Sequence, residues 1–268
     1  MKKWITILIF SLGSVGAFAQ MYYDIGLFLG TSYYLGDINP DRHFYTPYLK
    51  PAGGLSFRIN FDPRWAWKQS IRIGQISADD ADSETDFQQT RNLNFYSPVY
   101  ELTSTVEFNF LRFDPWKNTD WFTPYTYAGI GFFYMNPKTE LEGNTYVLKD
   151  HKTEGTDYSN IQFAIPFGVG FKIKASSRVF IELEWGMRKT FTDYMDDVSG
   201  NYPDDPTELD PVTIDLSDRS LDQQGPDGTN WGTQRGTSSK KDWYFFSGIS
   251  LVINLNNDPN RCYFDQNK

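Results

Sequence analysis

Cysteine and histidine are almost missing from this chain of 268 residues, which has one cysteine, Cys262, and two histidines, His43 and His151. A single cysteine excludes an intrachain disulfide, and the lack of any Cys/His cluster excludes a structural zinc site built from them. Basic residues are also short, with 25 Lys+Arg against 34 Asp+Glu and a formal net charge of −9. That is the wrong sign for a protein that grips nucleic-acid phosphates. Long apolar runs are missing too. After the first segment none approaches the roughly 20 residues of a membrane-spanning helix, and the mean hydropathy is only −0.51. No G-x-S-x-G, H-E-x-x-H or P-loop pattern occurs. His43 follows Asp41 and Arg42, and His151 follows Asp150. Each reads as a single solvated histidine in a polar loop. The expectation is no catalytic residue, no metal, no cofactor and no small-molecule substrate.

What the chain has in excess is aromatic side chains, with 22 Phe, 17 Tyr and 8 Trp, or 18% of residues. Low mean hydropathy with abundant rings and glycine fits a transmembrane β-barrel, in which only every second strand residue meets lipid. Residues 1–19 read as a secretory signal peptide. Lys2 and Lys3 are the positive start, Trp4 to Val15 the apolar stretch, and Ala17-Phe18-Ala19 the cleavage pattern, with the cut between Ala19 and Gln20. Domains are expected at 1–19 (signal), 20–255 (barrel) and 256–268 (a periplasmic tail).

Apolar and polar residues alternate with a period of two in eight segments, 22–35, 53–62, 65–76, 98–111, 124–135, 160–173, 178–192 and 242–255. In 160–173, for example, Ile161, Phe163, Ile165, Phe167, Val169, Phe171 and Ile173 alternate with Gln162, Ala164, Pro166, Gly168, Gly170 and Lys172. In 124–135 the register is ambiguous, and Thr126, Ala128, Ile130, Phe132 and Tyr134 are assigned to the outside. A soluble β-sandwich would alternate as well. Segment length, an even count, and linkers that are short after segments two, four and six and long after one, three, five and seven favour the barrel. The fold class is therefore all-β, an eight-stranded antiparallel outer-membrane β-barrel with long external loops and both termini periplasmic. Tyr22, Trp65, Trp67, Trp116, Trp121, Phe122, Tyr125 and Trp243 are candidates for the interfacial aromatic girdles.

Eight strands enclose a space that side chains can fill. The inward positions carry Arg58, Arg72 and Arg188 together with Glu101, Glu107, Glu182 and Glu184. Charges there must pair, because desolvation of a lone one is costly. The seven are read as a structural ion-pair network in a plugged lumen. The last long linker is acidic from Asp193 to Asp227. Its spacing matches no EF-hand, and it is read as solvated acid. Cys262 is a lone cysteine in an exported chain, which suggests intermolecular pairing or a free thiol, with Arg261, Tyr263 and Phe264 as flanking anchors.

Four stretches carry a resemblance to a known family: Tyr34-Leu35-Gly36-Asp37-Ile38-Asn39; Pro124-Tyr125 with Ala128-Gly129-Ile130-Gly131 and Asn136-Pro137; Arg188-Lys189-Thr190-Phe191-Thr192-Asp193-Tyr194-Met195-Asp196-Asp197-Val198-Ser199-Gly200; and Arg261-Cys262-Tyr263. The chain resembles the PorG family of the type IX secretion system, the outer-membrane export machinery of Bacteroidetes that is linked to gliding motility. The resemblance implies a non-enzymatic barrel that tethers a periplasmic ring, made of a lipoprotein and its partner subunit, to outer-membrane lipid. Many genomes carry several such paralogues, so the resemblance alone does not assign a secretion role. A lipid- or peptide-acting barrel enzyme and a small ligand-binding or adhesion barrel remain the alternatives.

Overall fold

A computed structural model describes residues 21–223, 225 and 227–256, without the side chain of Glu208. The signal segment with Ala19 and Gln20, and the Arg261, Cys262, Tyr263 and Phe264 anchor, lie outside the described residues. Eight long strands form the wall: β1 (Tyr22–Leu35), β2 (Lys50–Asn60), β3 (Trp65–Asp79), β4 (Asn94–Asn109), β5 (Phe122–Met135), β8 (Ile161–Lys174), β9 (Val179–Thr190) and β10 (Trp243–Asn254). Two further strands, β6 (Lys138–Leu141) and β7 (Asn144–Val147), form a small hairpin on the rim of β4. Each long strand pairs antiparallel with its neighbours, β1 pairs with β10 and β3 with β4, so the ladder closes on itself. Closure leaves the wall without a free edge, which is what hydrocarbon demands of a strand-built membrane span.

The period-two pattern explains which face is which. Leu27, Leu55, Ile71, Leu102 and Phe132 lie opposite one another from strand to strand and all point outward. Leu55 is 64% exposed and Ile71 60%, and together with their neighbours they form a continuous apolar face of the kind a lipid-contacting belt presents. The register assigned to 124–135 is the one found, with Ile130, Phe132 and Tyr134 exposed. Three polar outward side chains on neighbouring strands satisfy one another. Trp67 Nε1 and Gln69 Nε2 both donate to Ser104 Oγ, at 2.9 and 2.7 Å.

Three short connections, residues 61–64, 110–121 and 175–178, close one end of the barrel. Asp62 and Ser176 shape two of these turns by accepting backbone N–H bonds two and three residues ahead. The four long loops, 36–49, 80–93, 136–160 and 191–242, gather at the other end. There the strands run past the alternating pattern, since Ile76 to Asp79 pair with Ser97 to Asn94. Above the belt one sheet face meets loops and the other meets water, so the lipid-type alternation fades while the ladder continues.

Two girdle assignments do not hold. Tyr22 and Tyr125 are buried in the interior, where the Tyr22 hydroxyl donates to Phe113 O at 3.0 Å and the Tyr125 hydroxyl points at Glu184. A tyrosine can serve an interface or a polar lumen equally well, and strand parity decides between them. Trp65 and Trp121 are exposed on the outside near the short-turn end.

Candidate functional site

The lumen is a stack of charge and aromatic layers. Near the short-turn end, Arg58 reaches Glu182 at 2.7 Å, Glu107 at 2.9 Å and Asp24 at 3.5 Å. Glu107, from the next strand pair, also takes Lys68 at 2.6 Å and Lys172 at 2.7 Å. One layer up, Glu184 accepts Arg72 at 2.7 Å, Lys68 at 3.2 Å and the Tyr127 hydroxyl at 2.7 Å. Above that, Arg188 forks onto Glu101 through two bonds of 2.8 and 3.1 Å, and the Tyr244 hydroxyl adds a third contact to Glu101 at 2.9 Å. Arg72 and Arg188 lie over the rings of Phe28 and Phe246, at 4.4 and 4.9 Å. All seven residues singled out in the sequence lie in this stack. Asp24, Lys68, Lys172 and the three tyrosines join them. The five cations and five carboxylates thus match, and the filling is neutral.

Both ends of the stack are covered. At the short-turn end Phe113, from the 110–121 connection, folds inward onto Phe180 and Val252. At the other end the long loops form a cap with its own apolar core, including Tyr34, Ile38, Met195, Val198 and Leu216.

The cap is where the 191–242 linker departs from the expectation of solvated acid. Asp193, Asp196 and Asp197 are buried. Asp196 accepts a very short bond from the Tyr34 hydroxyl and a 3.0 Å bond from Val198 N. Asp197 accepts the Thr153 hydroxyl and, at 2.7 Å, the Tyr158 hydroxyl. Asp193 is held by Ser199 at 2.8 Å and Lys241 at 3.6 Å. Asp204, Asp205, Asp210, Asp215 and Asp222 are exposed, as that expectation has it. Two arginines cross-tie the loops. Arg91, at the end of the Asp86–Arg91 helix, grips Asp80 through two 2.8 Å bonds and donates to Arg235 O at 2.6 Å. Arg235 donates to Asp197 O at 2.6 Å, to Glu154 at 3.0 Å and to Ser217 O at 3.1 Å. The 34–39 and 188–200 stretches therefore meet in space. Gly36 fits between Tyr34 and Asp242, where a Cβ would come within about 2 Å of both side chains.

Burial pushes the carboxyls of this cap upward: Asp193 and Asp197 to about 6, with Asp37, Asp196 and Asp242 also raised. Lys241, Arg91, Arg235, Glu154 and the Tyr34 and Tyr158 hydroxyls are the other groups that face them. A carboxyl raised on folding holds its proton longer in the folded state. Its contribution is present in full below the ordinary carboxylate range and is lost as pH rises through about 6. Amide exchange in 193–200, corrected for its intrinsic rate, should therefore quicken by roughly tenfold or more between pH 5 and 7.5. Unchanged or slower exchange would contradict this assignment of protons.

His43 and His151 do not come together. His43 lies against Tyr33 on the outer wall, and His151 meets Thr213 within the cap at 3.0 Å. Among the described residues no group of three or more His, Cys, Asp or Glu side chains has the arrangement to hold a metal ion.

A closed eight-stranded wall, an apolar belt and a filled polar interior define the class: this is a transmembrane β-barrel of the outer-membrane type. Residues 2–218 match the family described as a domain of unknown function (DUF6089), and the chain belongs to that family. No curated protein matches the chain in sequence. Among solved structures it is similar to Ail, the attachment invasion locus protein of Yersinia pestis, with 9% identity over 88% of this chain and 100% of that one and a TM-score of 0.42. It is similar also to the outer membrane protein OprG from Pseudomonas aeruginosa, with 9% identity over 85% and 95% and a TM-score of 0.41. Neisserial surface protein A matches with 8% identity over 88% and 97% and a TM-score of 0.35.

Proposed function

We propose that this barrel is a non-enzymatic anchor in the outer membrane, with its long loops outside and both termini in the periplasm. Its tail holds the periplasmic ring, a lipoprotein and its partner subunit, of a type IX protein secretion and gliding machinery. The filled lumen carries the reading. A wall whose interior is packed with paired charges and covered at both ends offers surfaces and attachment, not a route for solutes. The choice of partner is supported by the resemblance of the 34–39, 124–137, 188–200 and 261–263 stretches to the PorG family. Arg261, Cys262, Tyr263 and Phe264 are the proposed contacts, and an oxidising compartment permits a mixed disulfide at Cys262.

Intact envelopes should be crosslinked and the tagged barrel purified in detergent. A periplasmic lipoprotein is expected to accompany the full chain and to be lost when the chain is truncated after Asn256. If the truncated barrel retains the same companions, the tail is not the attachment. A Cys262→Ser exchange should remove a higher-mass band on a non-reducing gel, and a wild type without that band ends the disulfide part. In planar bilayers the purified chain should give no sustained porin-scale current. Large steady single-channel steps would overturn the sealed lumen on which the reading rests.

One observation favours a second reading, a barrel whose long loops bind a ligand. The cap is tied together by Arg91 and Arg235 more thoroughly than idle connections require.

A further inference from the structure

At the long-loop end of β1 and β10 two outward side chains are buried, unlike those of the belt below. Tyr33 and Phe245 point outward yet are only 1% and 2% exposed, and their rings stack at 4.5 Å. The 36–49 loop descends over them, with His43 edge-on to Phe245 at 5.2 Å and Phe44 against Tyr33 at 5.2 Å. Phe44 itself remains half exposed, adopts a positive φ of 55° and lies 6.3 Å from the Trp185 ring. Beside this loop a cleft of about 760 Å³ lies between the Asp86–Arg91 helix and the outer wall. Trp185, Met187 and Trp243 form its floor, and Phe87 stands opposite.

The floor continues directly into the belt. Along β9 the same face carries Leu183 and Ile181, and along β10 it carries Ile249 and Leu251, all exposed. The upper part of the wall is polar enough for headgroup depth, since Trp185 Nε1 donates to the Tyr33 hydroxyl at 3.1 Å and that hydroxyl lies 3.4 Å from His43 Nδ1. Lys240 and Lys241 line the cleft above the floor and Lys189 reaches over the Trp243 ring at 6.0 Å, three exposed lysines in a chain whose net charge is −9. The carboxylates near them are already engaged. Asp37 accepts Thr237 N at 3.0 Å, and Asp193 accepts Ser199 besides its 3.6 Å contact with Lys241.

We infer that this cleft seats one acylated, phosphate-bearing lipid of the surrounding leaflet, with acyl chain on Trp185, Met187 and Trp243 and phosphate at Lys189, Lys240 and Lys241. Hydrocarbon below and cations above match an amphipathic anion and no soluble ligand, because the floor is the outward face of strands that stand in lipid. Each lysine near a headgroup contributes roughly a fivefold gain in retention.

The full chain, purified in detergent, should be offered a bis-phosphorylated, acylated glucosamine disaccharide and examined by native mass spectrometry. The same lipid without phosphates, the same headgroup without acyl chains, and inorganic phosphate as competitor complete the set. Wild type is expected to retain one molecule of the complete lipid and little of either stripped form. The combined Lys189→Glu, Lys240→Glu and Lys241→Glu variant should retain at least about tenfold less while keeping its heat-modifiable migration. Lys240→Ala, at an exposed loop position, gives a smaller loss of the same sign should the triple variant not fold. Equal retention by these variants overturns the site. Equal retention of the dephosphorylated lipid reduces it to greasy contact, and competition by inorganic phosphate or by the bare headgroup makes it a free-anion site. Either result overturns the inference as well.

Discussion

Glu107→Ala is expected to destabilise the folded barrel by about 3–5 kcal/mol, the cost of removing one partner from a buried ionic set. Glu107 is fully buried and contacts three cations, Arg58, Lys68 and Lys172, from three different strands. Without it those cations face one another in a closed interior. Arg58 retains Glu182 and Asp24, and Lys68 retains Glu184, but Lys172 has no other carboxylate at ion-pair distance among the described residues. The measurement is urea unfolding in lipid vesicles, followed by the mobility difference between boiled and unboiled samples. Glu107→Ala combined with Lys172→Met restores the charge balance of the lumen and should recover a large part of the loss. A single variant within about 1 kcal/mol of wild type would mean that water reaches this layer and the charges are not dry. The same result would weaken the case for a sealed interior, and with it the anchor reading.

The stack also explains how an eight-stranded wall suits this sequence. A polar lumen is an expensive interior, since its pairs offset their desolvation only when geometry is good. The wall supplies that geometry. Glycines at positions such as 186 leave room for Tyr127 and Arg188, whose polar atoms would stand 2.0 and 2.3 Å from an added Cβ. Small residues and long charged ones therefore alternate around the barrel, and the hydrophobic work is delegated to the lipid side.

Strand count, closure and register were readable because the belt imposes one physical rule, apolar outward at every second position, on every wall strand. The inward parity of Arg58, Arg72, Glu101, Glu107, Glu182, Glu184 and Arg188 follows from it. The same parity also places Asp24 with Gly26, and Lys68 with Ser70 and Arg72, so these partners were within reach of the alternation. Tyr22 and Tyr125 suit a girdle by chemical type, but their parity points inside. The cap was not readable in this way. Its buried acids owe their burial to partners far along the chain, such as Tyr34 for Asp196, 162 positions away, and no local period records such a contact. The β6–β7 hairpin in the 136–160 loop was missed for a related reason. Its strands have four residues each, too short for alternation, and the remaining signal was the Glu142-Gly143 pair, both at positive φ.

Arg235→Ala separates the two functional readings, because it should dismantle the cap and spare the wall. The guanidinium is buried and joins three segments of the loops through Glu154, Asp197 O and Ser217 O, while its backbone N–H donates to Gly200 O. Alanine removes every side-chain bond and leaves Glu154 with two backbone N–H donors, from Ser199 and Gly200, but no cation. The expected loss is about 3–5 kcal/mol, confined to the cap. Amide protection in 148–158, 193–200 and 211–219 should collapse toward that of open loops, while strand amides and the heat-modifiable migration stay as in wild type. Arg235→Lys keeps the charge but not the planar fork, so it should fall between the two. A variant that loses strand protection as well would show that cap and wall unfold as one unit. With the cap open and the wall intact, an anchor working through its tail should keep its companions in crosslinked envelopes, because β10, the last described strand, ends at the opposite, short-turn end of the barrel. A loop-borne ligand function fails in the same cells. Failure of envelope attachment in this variant would place the working surface in the long loops and would overturn the tail-based anchor.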